Sequence, residues 1–95
     1  MNIIELNEQR LPSDCYVFKH STRCPISAAA ASRVRQAESS LPLYWVNVVE
    51  QRSLSNWIAA ELQVRHESPQ LILLRSGKVE AVWNHGQVGP QAFSE

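Results

Sequence analysis

The chain of 95 residues has little of several features that mark common functional classes. Its nine basic side chains are balanced by nine acidic ones, so the formal net charge is zero. A domain without a positive field has no electrostatic means of holding a phosphate backbone or an anionic membrane surface. The sequence therefore predicts neither a nucleic-acid partner nor a membrane partner.

Long apolar runs are missing too. No segment approaches the roughly 18 apolar residues that would span a bilayer. The start, Met1–Glu8, has neither the basic region nor the apolar stretch of a secretory signal, so we expect a cytoplasmic protein. Hydrophobic residues still make up 44% of the chain, which indicates a globular protein. At this length we expect one domain over residues 1–95, with its core at about 15–85.

Several kinds of catalytic or metal site are also missing from the sequence. It shows no phosphate-binding loop, no Ser-His-Asp set and no paired-carboxylate spacing. The three histidines, His20, His66 and His85, are scattered, and no second cysteine stands at ligand spacing from either thiol. The sequence therefore predicts no metal site.

The two cysteines have different surroundings. Cys15 opens the apolar run Cys15–His20, which is typical of a buried strand, and we interpret its thiol as a small core side chain. Cys24 follows that strand. A strand over these six residues covers roughly 16 Å at about 3.3 Å per residue. A disulfide needs Cα atoms within about 7 Å, so we expect no internal bridge.

The first half of the chain predicts a strand followed by a helix. The strand runs from about Tyr16 to His20. Pro25 suits the first position of a helix, because its missing N–H would be unpaired there anyway. Apolar residues then recur on one helical face, at Ile26, Ala30, Val34 and Ala37. Because of the later Pro42, we expect this helix to end near residues 38–40.

The second half predicts a strand, a helix and a hairpin. The strand is the apolar run Leu43–Val49. Ser53 is the predicted N-cap of a helix whose apolar stripe is Leu54, Trp57, Ile58 and Leu62. Two further strands, Gln70–Leu74 and Lys78–Trp83, flank a turn at residues 75–77. Ile3–Leu6 is a candidate edge strand, and Pro90–Phe93 is a candidate final helix.

The order of these elements is β-α-β, then α, then a β-β hairpin. The first unit requires a right-handed crossover between parallel strands. We therefore predict an α/β protein with a thioredoxin-like fold, in which a central mixed four-stranded sheet is flanked by helices. In that fold the active cysteine lies between the first core strand and its helix. This is the position of Cys24.

Cys24 immediately precedes Pro25 and is therefore expected at the start of the first helix. Unpaired N–H groups and the positive end of the helix dipole stabilise a thiolate there, and the thiolate is the nucleophile in thiol–disulfide exchange. Lys19, His20 and Arg23 are close enough in sequence to add positive potential.

Ser27 stands three residues after Cys24, where a dithiol oxidoreductase has its second cysteine. The resulting C-x-x-S arrangement has no resolving thiol, so an external thiol must complete any reaction. Two interpretations of Ser27 remain open. Its hydroxyl either donates a hydrogen bond near the sulfur, or it is a tolerated residue of the first helical turn.

Ser68-Pro69 precedes the third core strand of the predicted topology. In thioredoxin-like folds a cis proline occupies this place and faces the active cysteine, so we predict a cis bond here. The preceding pair, His66-Glu67, is interpreted in two ways. It either borders the cleft around Cys24 or belongs to a solvated loop.

Three segments of the sequence carry a family resemblance. They are K-H-S-T-R-C-P-I-S at residues 19–27, V-E-Q-R-S-L-S-N at 49–56 and V-R-H-E-S-P-Q at 64–70. These resemble blocks of the YtxJ family, monothiol bacilliredoxin-like proteins of the thioredoxin superfamily. The resemblance implies a redox protein that acts on mixed disulfides between protein thiols and bacillithiol. Cys24 would be the attacking thiol, and the substrate-binding candidates are Thr22, Pro25, Ser27, Ser68 and Pro69.

The sequence thus predicts a monothiol thiol–disulfide oxidoreductase. Its partners are protein mixed disulfides, with a small thiol such as bacillithiol as co-substrate and no bound cofactor. Two alternatives stay open. One is a non-catalytic thioredoxin-like module that docks a partner protein around Cys24 and Pro69. The other is an iron–sulfur cluster held by Cys24 across a dimer.

Overall fold

The computed structural model describes residues 1–94, and Glu95, the last residue of the predicted domain, lies outside the described residues. The strands are β1 (Ile3–Glu5), β2 (Cys15–His20), β3 (Leu43–Asn47), β4 (Gln70–Arg75) and β5 (Lys78–Asn84). The helices are α1 (Pro25–Gln36) and α2 (Arg52–Leu62). Two short 3-10 turns follow β5, at His85–Gln87 and Pro90–Phe93. Within residues 1–94, no helix is both long enough and apolar enough to cross a membrane.

The strands form one mixed sheet in the order β1-β3-β2-β4-β5. β3 is parallel to both β1 and β2, whereas β4 is antiparallel to β2 and β5. The predicted mixed sheet is therefore confirmed, but it has five strands rather than four. The added strand is Ile3–Glu5, which pairs along the edge of β3 that β2 leaves free. Backbone bonds from Leu43 N to Asn2 O and from Leu6 N to Trp45 O extend this pairing.

Side chains alternate between the two faces of β2, and each face has its own apolar cluster. Tyr16 and Phe18 pack on the face covered by α1 and the C-terminal turns. Cys15 and Val17 pack on the opposite face with the buried residues of α2. Because successive strand residues point to opposite sides, consecutive residues of β2 serve different layers. This separation also decides where Lys19 and His20 lie.

The first helix departs from its predicted stripe and end. Its buried residues are Ser27, Ala30, Ala31 and Val34, whereas Ile26 is 57% exposed. The placement of Ile26 on the buried face was therefore wrong, because the face in contact with the sheet begins one residue later. The helix also ends at Gln36, before the predicted range. The Ser39 hydroxyl accepts a hydrogen bond from Leu41 N, a local turn that competes with further helix.

The C-terminal segment completes the layer over α1. Val88, Ala92 and Phe93 are buried with Tyr16, so buried apolar residues continue beyond position 85. The Tyr16 hydroxyl donates to the Ala92 carbonyl at 2.8 Å, and its ring lies 4.7 Å from that of Phe93. Arg33, on α1, donates from Nε to the Val88 carbonyl at 2.7 Å. These contacts tie the end of the chain to the first core strand and its helix.

Three connecting segments meet at one edge of the sheet. β2 and β3 are parallel, so the segments that follow them, 21–24 and 48–51, leave from the same edge. β4 runs antiparallel to β2, so the segment before it, 63–69, arrives at that edge. The topology thus brings Cys24, the start of α2 and Ser68-Pro69 together.

We expect Tyr16→Phe to lower the free energy of unfolding by about 1 to 2 kcal/mol, because the buried Ala92 carbonyl loses its donor. Denaturant unfolding followed by fluorescence measures the loss. Tyr44→Phe is the matched control, since Tyr44 is only half-buried, and it should change stability by less than about 0.5 kcal/mol. Equal losses in both variants would mean that the Tyr16 hydrogen bond does not secure the C-terminal segment.

Candidate functional site

Cys24 is the N-cap residue of α1, and Pro25 occupies the first helical position. Its backbone is extended, and its carbonyl accepts the first helical hydrogen bond, from Ala28 N at 3.0 Å. The predicted position at the helix start is therefore confirmed. Its side chain accepts no capping hydrogen bond, so the sulfur is not bound to the N–H groups of its own helix. Cys24 is partly exposed.

A cleft of about 410 Å³ lies over Cys24. Its lining combines the three segments that meet at this edge of the sheet, and includes Arg23, Cys24, Arg52, Ser55, His66 and Ser68. The His66 ring nitrogen Nδ1 lies 3.4 Å from the Ser55 hydroxyl. His66 therefore borders the cleft, as one interpretation predicts. Glu67 does not line it and instead lies 3.1 Å from His85 Nε2 and 3.6 Å from Arg65 Nε.

The hydroxyl of Ser27 secures the segment that carries Cys24. Ser27 is fully buried, and its Oγ accepts a hydrogen bond from Ser21 N at 2.9 Å. The same oxygen lies 2.8 Å from Nδ1 of His20. Ser27 therefore neither donates a hydrogen bond to the sulfur nor is merely tolerated in the first helical turn. It is the buried anchor of the segment between β2 and α1.

The His20 ring is held on the α1 side of the sheet. It stacks on Phe18 at 5.9 Å and packs edge-on against Trp45 at 5.4 Å. Burial, together with the nearby Arg35 guanidinium, lowers the pKa of His20 below its ordinary value, although a hydrogen bond with the Ser27 backbone acts in the opposite direction. In a neutral ring, an unprotonated Nδ1 can accept a hydrogen bond from the Ser27 hydroxyl. The hydroxyl oxygen in turn accepts the hydrogen bond from Ser21 N. His20 supports the segment and does not line the cleft.

Lys19 lies on the opposite face of β2 and is fully buried. Its Nζ donates to the Ser55 carbonyl at 3.5 Å, and no carboxylate of residues 1–94 lies within 4.0 Å of it. Burial lowers the pKa of Lys19 from 10.5 to about 8. Burial also lowers the pKa of His66, and the charges of Lys19 and Arg52 add to that effect. A positive charge therefore lies behind the Ser55 side of the cleft.

The second thiol is chemically unlike the first. Cys15 is fully buried at the opposite end of β2, and its Sγ lies 3.6 Å from the Pro12 carbonyl. Burial, with a smaller contribution from Asp14, raises the pKa of Cys15 to about 12. Both cysteines are free, and Cys15 is the core side chain that its sequence context predicts.

The predicted site residues divide into two groups. Cys24 and Ser68 line the cleft, and the buried hydroxyl oxygen of Ser68 has no hydrogen-bond partner within residues 1–94. The Ser68–Pro69 bond is cis, and Pro69 is buried, with its carbonyl bound by His85 N at 2.8 Å. The remaining candidates lie outside the lining: Thr22, Pro25, Ser27 and Pro69.

The sequence reasoning missed Arg52 as a cleft residue. The chain turns sharply before α2, because Asn47 Oδ1 accepts hydrogen bonds from Val49 N and Glu50 N. The helix then begins at Arg52, one residue before the predicted N-cap Ser53. The sequence did contain one signal for this role. An arginine is unusual at the start of a helix, because the first turn favours acidic residues.

Comparisons with known proteins identify the family and the fold of this chain. The family described as monothiol bacilliredoxin BrxC matches residues 2–93. A solved structure described as a proposed oxidoreductase with a thioredoxin fold is similar, with a TM-score of 0.79 and 28% sequence identity. That similarity covers 95% of this chain and 88% of the other.

A second solved structure, the solution structure of reduced desulfothioredoxin from Desulfovibrio vulgaris Hildenborough, is similar in fold. It has a TM-score of 0.54 and 23% identity, over 98% of this chain and 96% of the other. The predicted thioredoxin-like fold and the predicted family are therefore confirmed.

We expect Ser27→Ala to release the segment before Cys24. The Ser21 N–H loses its acceptor, so its hydrogen exchange should accelerate and the free energy of unfolding should fall by about 1 to 2 kcal/mol. Amide exchange by NMR and denaturant unfolding measure the two effects. Ser53→Ala, at an exposed position of α2, is the control. Unchanged exchange at Ser21 would show that the hydroxyl is not the anchor.

Lys19→Met should stabilise the protein at neutral pH and lose that advantage in alkali. The folded-state pKa of Lys19 lies below its unfolded value, so wild-type stability rises as pH increases from about 8 to 10.5, while the variant lacks this rise. The advantage at pH 7 is on the order of 3 kcal/mol. Unfolding of both proteins at pH 7, 9 and 10.5 tests this. A stability difference independent of pH would contradict it.

Proposed function

Because this chain belongs to the monothiol bacilliredoxin BrxC family and is a thiol oxidoreductase with a thioredoxin fold, we propose that it removes small thiols from protein mixed disulfides. Bacillithiol is the small thiol that we propose, the cytoplasm is the compartment, and no resident cofactor takes part. One observation carries the proposal. Cys24 begins α1 at the edge of a cleft, and the place of a resolving thiol holds a buried serine.

In the first step, the Cys24 thiolate attacks the sulfur of the small thiol within the mixed disulfide. A bond forms between Cys24 Sγ and that sulfur, and the bond to the substrate protein breaks. The substrate sulfur leaves as a thiolate and takes a proton from water. The small thiol stays on the enzyme as a mixed disulfide, so no net oxidation has occurred.

The second step requires a thiol from solution. A second small-thiol thiolate attacks the sulfur attached to Cys24, forming a low-molecular-weight disulfide and releasing the Cys24 thiolate. Ser27 offers no sulfur for internal attack, and Cys15 is fully buried at the far end of β2. These residues therefore support regeneration of Cys24 by a thiol from solution.

The helix start and the positive groups around the cleft support the attacking role of Cys24. The sulfur lies at the positive end of the α1 dipole, and no acidic residue occupies the first turn. Arg23 and Arg52 line the same cleft.

The direct test is a reaction of the protein with a model protein carrying a bacillithiol or glutathione mixed disulfide. Without added thiol, mass spectrometry should find one small-thiol adduct per chain, on Cys24, that persists. Added small thiol should remove it. Cys24→Ser should abolish adduct formation, whereas Cys15→Ala, the matched control, should react within about twofold of the wild-type rate.

Other outcomes identify the alternatives. An adduct on Cys15 in preference to Cys24 would contradict the mechanism. Binding of a partner peptide without any adduct on either cysteine would favour the docking module. A visible absorption band after anaerobic purification, lost in Cys24→Ser, would favour a shared iron–sulfur cluster.

A further inference from the structure

The charged side chains that line the Cys24 cleft have one sign. Arg23 and Arg52 line it together with His66, and no aspartate or glutamate of residues 1–94 is part of its lining. The whole chain carries as many acidic as basic side chains. The positive cleft is therefore a local arrangement and not a consequence of overall composition.

Arg23 and Arg52 also differ from the other arginines, because their guanidinium groups have no partner within residues 1–94. Three of the others lie near carboxylates, as Arg10–Glu8, Arg65–Glu67 and Arg75–Glu80. Arg33 donates to a carbonyl, and Arg35 lies 4.6 Å over the Trp45 ring. In the described part of the chain, the two guanidinium groups at the cleft thus keep their donors available for a ligand.

The backbone and the buried groups add to this potential. Both α1 and α2 begin at the cleft, and neither has an acidic residue in its first turn to offset its dipole. The buried ammonium of Lys19 donates to the Ser55 carbonyl on the same side. The buried Ser68 hydroxyl supplies a further group that has no partner within residues 1–94.

We propose that this cleft recognises an oxyanion, a carboxylate or a phosphate, on the small thiol that Cys24 captures, with Arg23 and Arg52 as the binding residues. Arginine suits this role because its planar fork of donors matches a carboxylate or phosphate oxygen pair. Arg23 is adjacent to Cys24 in the chain, so the oxyanion would lie close to the exchanging sulfur. This inference rests on the proposed function and specifies its substrate class.

The test measures how fast the reduced protein forms its Cys24 adduct with symmetrical disulfides of different charge. The probes are 3,3′-dithiodipropionate with carboxylates, coenzyme A disulfide with phosphates, neutral 2-hydroxyethyl disulfide and cationic cystamine. Each rate is divided by that of 2-mercaptoethanol with the same disulfide, which removes intrinsic differences in reactivity. Quenched time points analysed by mass spectrometry give the rates.

We expect at least one anionic disulfide to react about tenfold faster, after normalisation, than the neutral and cationic ones. Which anionic probe is preferred distinguishes a carboxylate from a phosphate ligand. The preference should shrink as salt is raised from about 0.02 to 0.5 M, because the attraction is screened.

Arg52→Gln and Arg23→Gln should each lower the ratio of the anionic rate to the neutral rate, measured on the same variant, about threefold or more. Arg10→Gln, an exposed arginine before the start of β2, is the matched control and should leave this ratio unchanged. Equal normalised rates for all four probes, or a preference that survives both cleft substitutions, would overturn this inference. In that case reaction at Cys24 would still support the proposed exchange activity, whereas no adduct with any probe would contradict the proposed function itself.

Discussion

One buried hydroxyl determines the geometry on which the site depends. Ser27 faces the sheet from the first turn of α1 and binds both the Ser21 amide and the His20 ring. These bonds link the last residue of β2, the connecting segment and the helix, so Cys24 is carried at the helix start on an anchored segment. The same residue stands where a dithiol enzyme has its second sulfur. Anchoring and the absence of a resolving thiol are thus two results of one side chain.

The alternation of β2 explains how one short strand serves two purposes. His20 points to the α1 layer, where Phe18 and Trp45 enclose it and its low pKa favours the neutral ring that Ser27 contacts. Lys19 points to the α2 layer, where its ammonium lies behind the cleft wall at Ser55. His20 therefore supports the segment before Cys24 from one face of the sheet, and Lys19 places a positive charge behind the cleft from the other face.

Much of the fold was predictable, because periodicity and turn residues are local signals. The order of strands and helices, the buried Cys15 and the position of Cys24 at the start of α1 all followed from them. The edge strand at Ile3–Glu5 was only a candidate, since three residues carry little periodicity and its pairing with β3 is a long-range contact. Ile26 was misplaced because packing on the sheet sets the buried face of the helix. Ala30, Val34 and Ala37 are buried as predicted, whereas Ser27 takes the first buried position in place of Ile26.

The sequence predicted the thiol of the site, but it did not predict most of the other residues that line the cleft. Cys24 and Ser68 came from motif and topology, whereas Arg52 enters through a turn at Asn47 that brings α2 over the same edge. The partners of Ser27 were hidden as well, because a serine in sequence does not show which backbone amide it meets. Contacts between separate segments are what local patterns leave out.

The burial of Cys15 determines whether the protein can store oxidation as an internal disulfide. A chain with two accessible thiols can form an intramolecular disulfide and stay oxidised after its substrate has dissociated. Here the second sulfur is sealed in the apolar layer at the far end of β2, with a pKa near 12. Under the proposed exchange, an oxidised Cys24 therefore returns to the thiol only through a sulfur from another molecule, because Cys15 is fully buried.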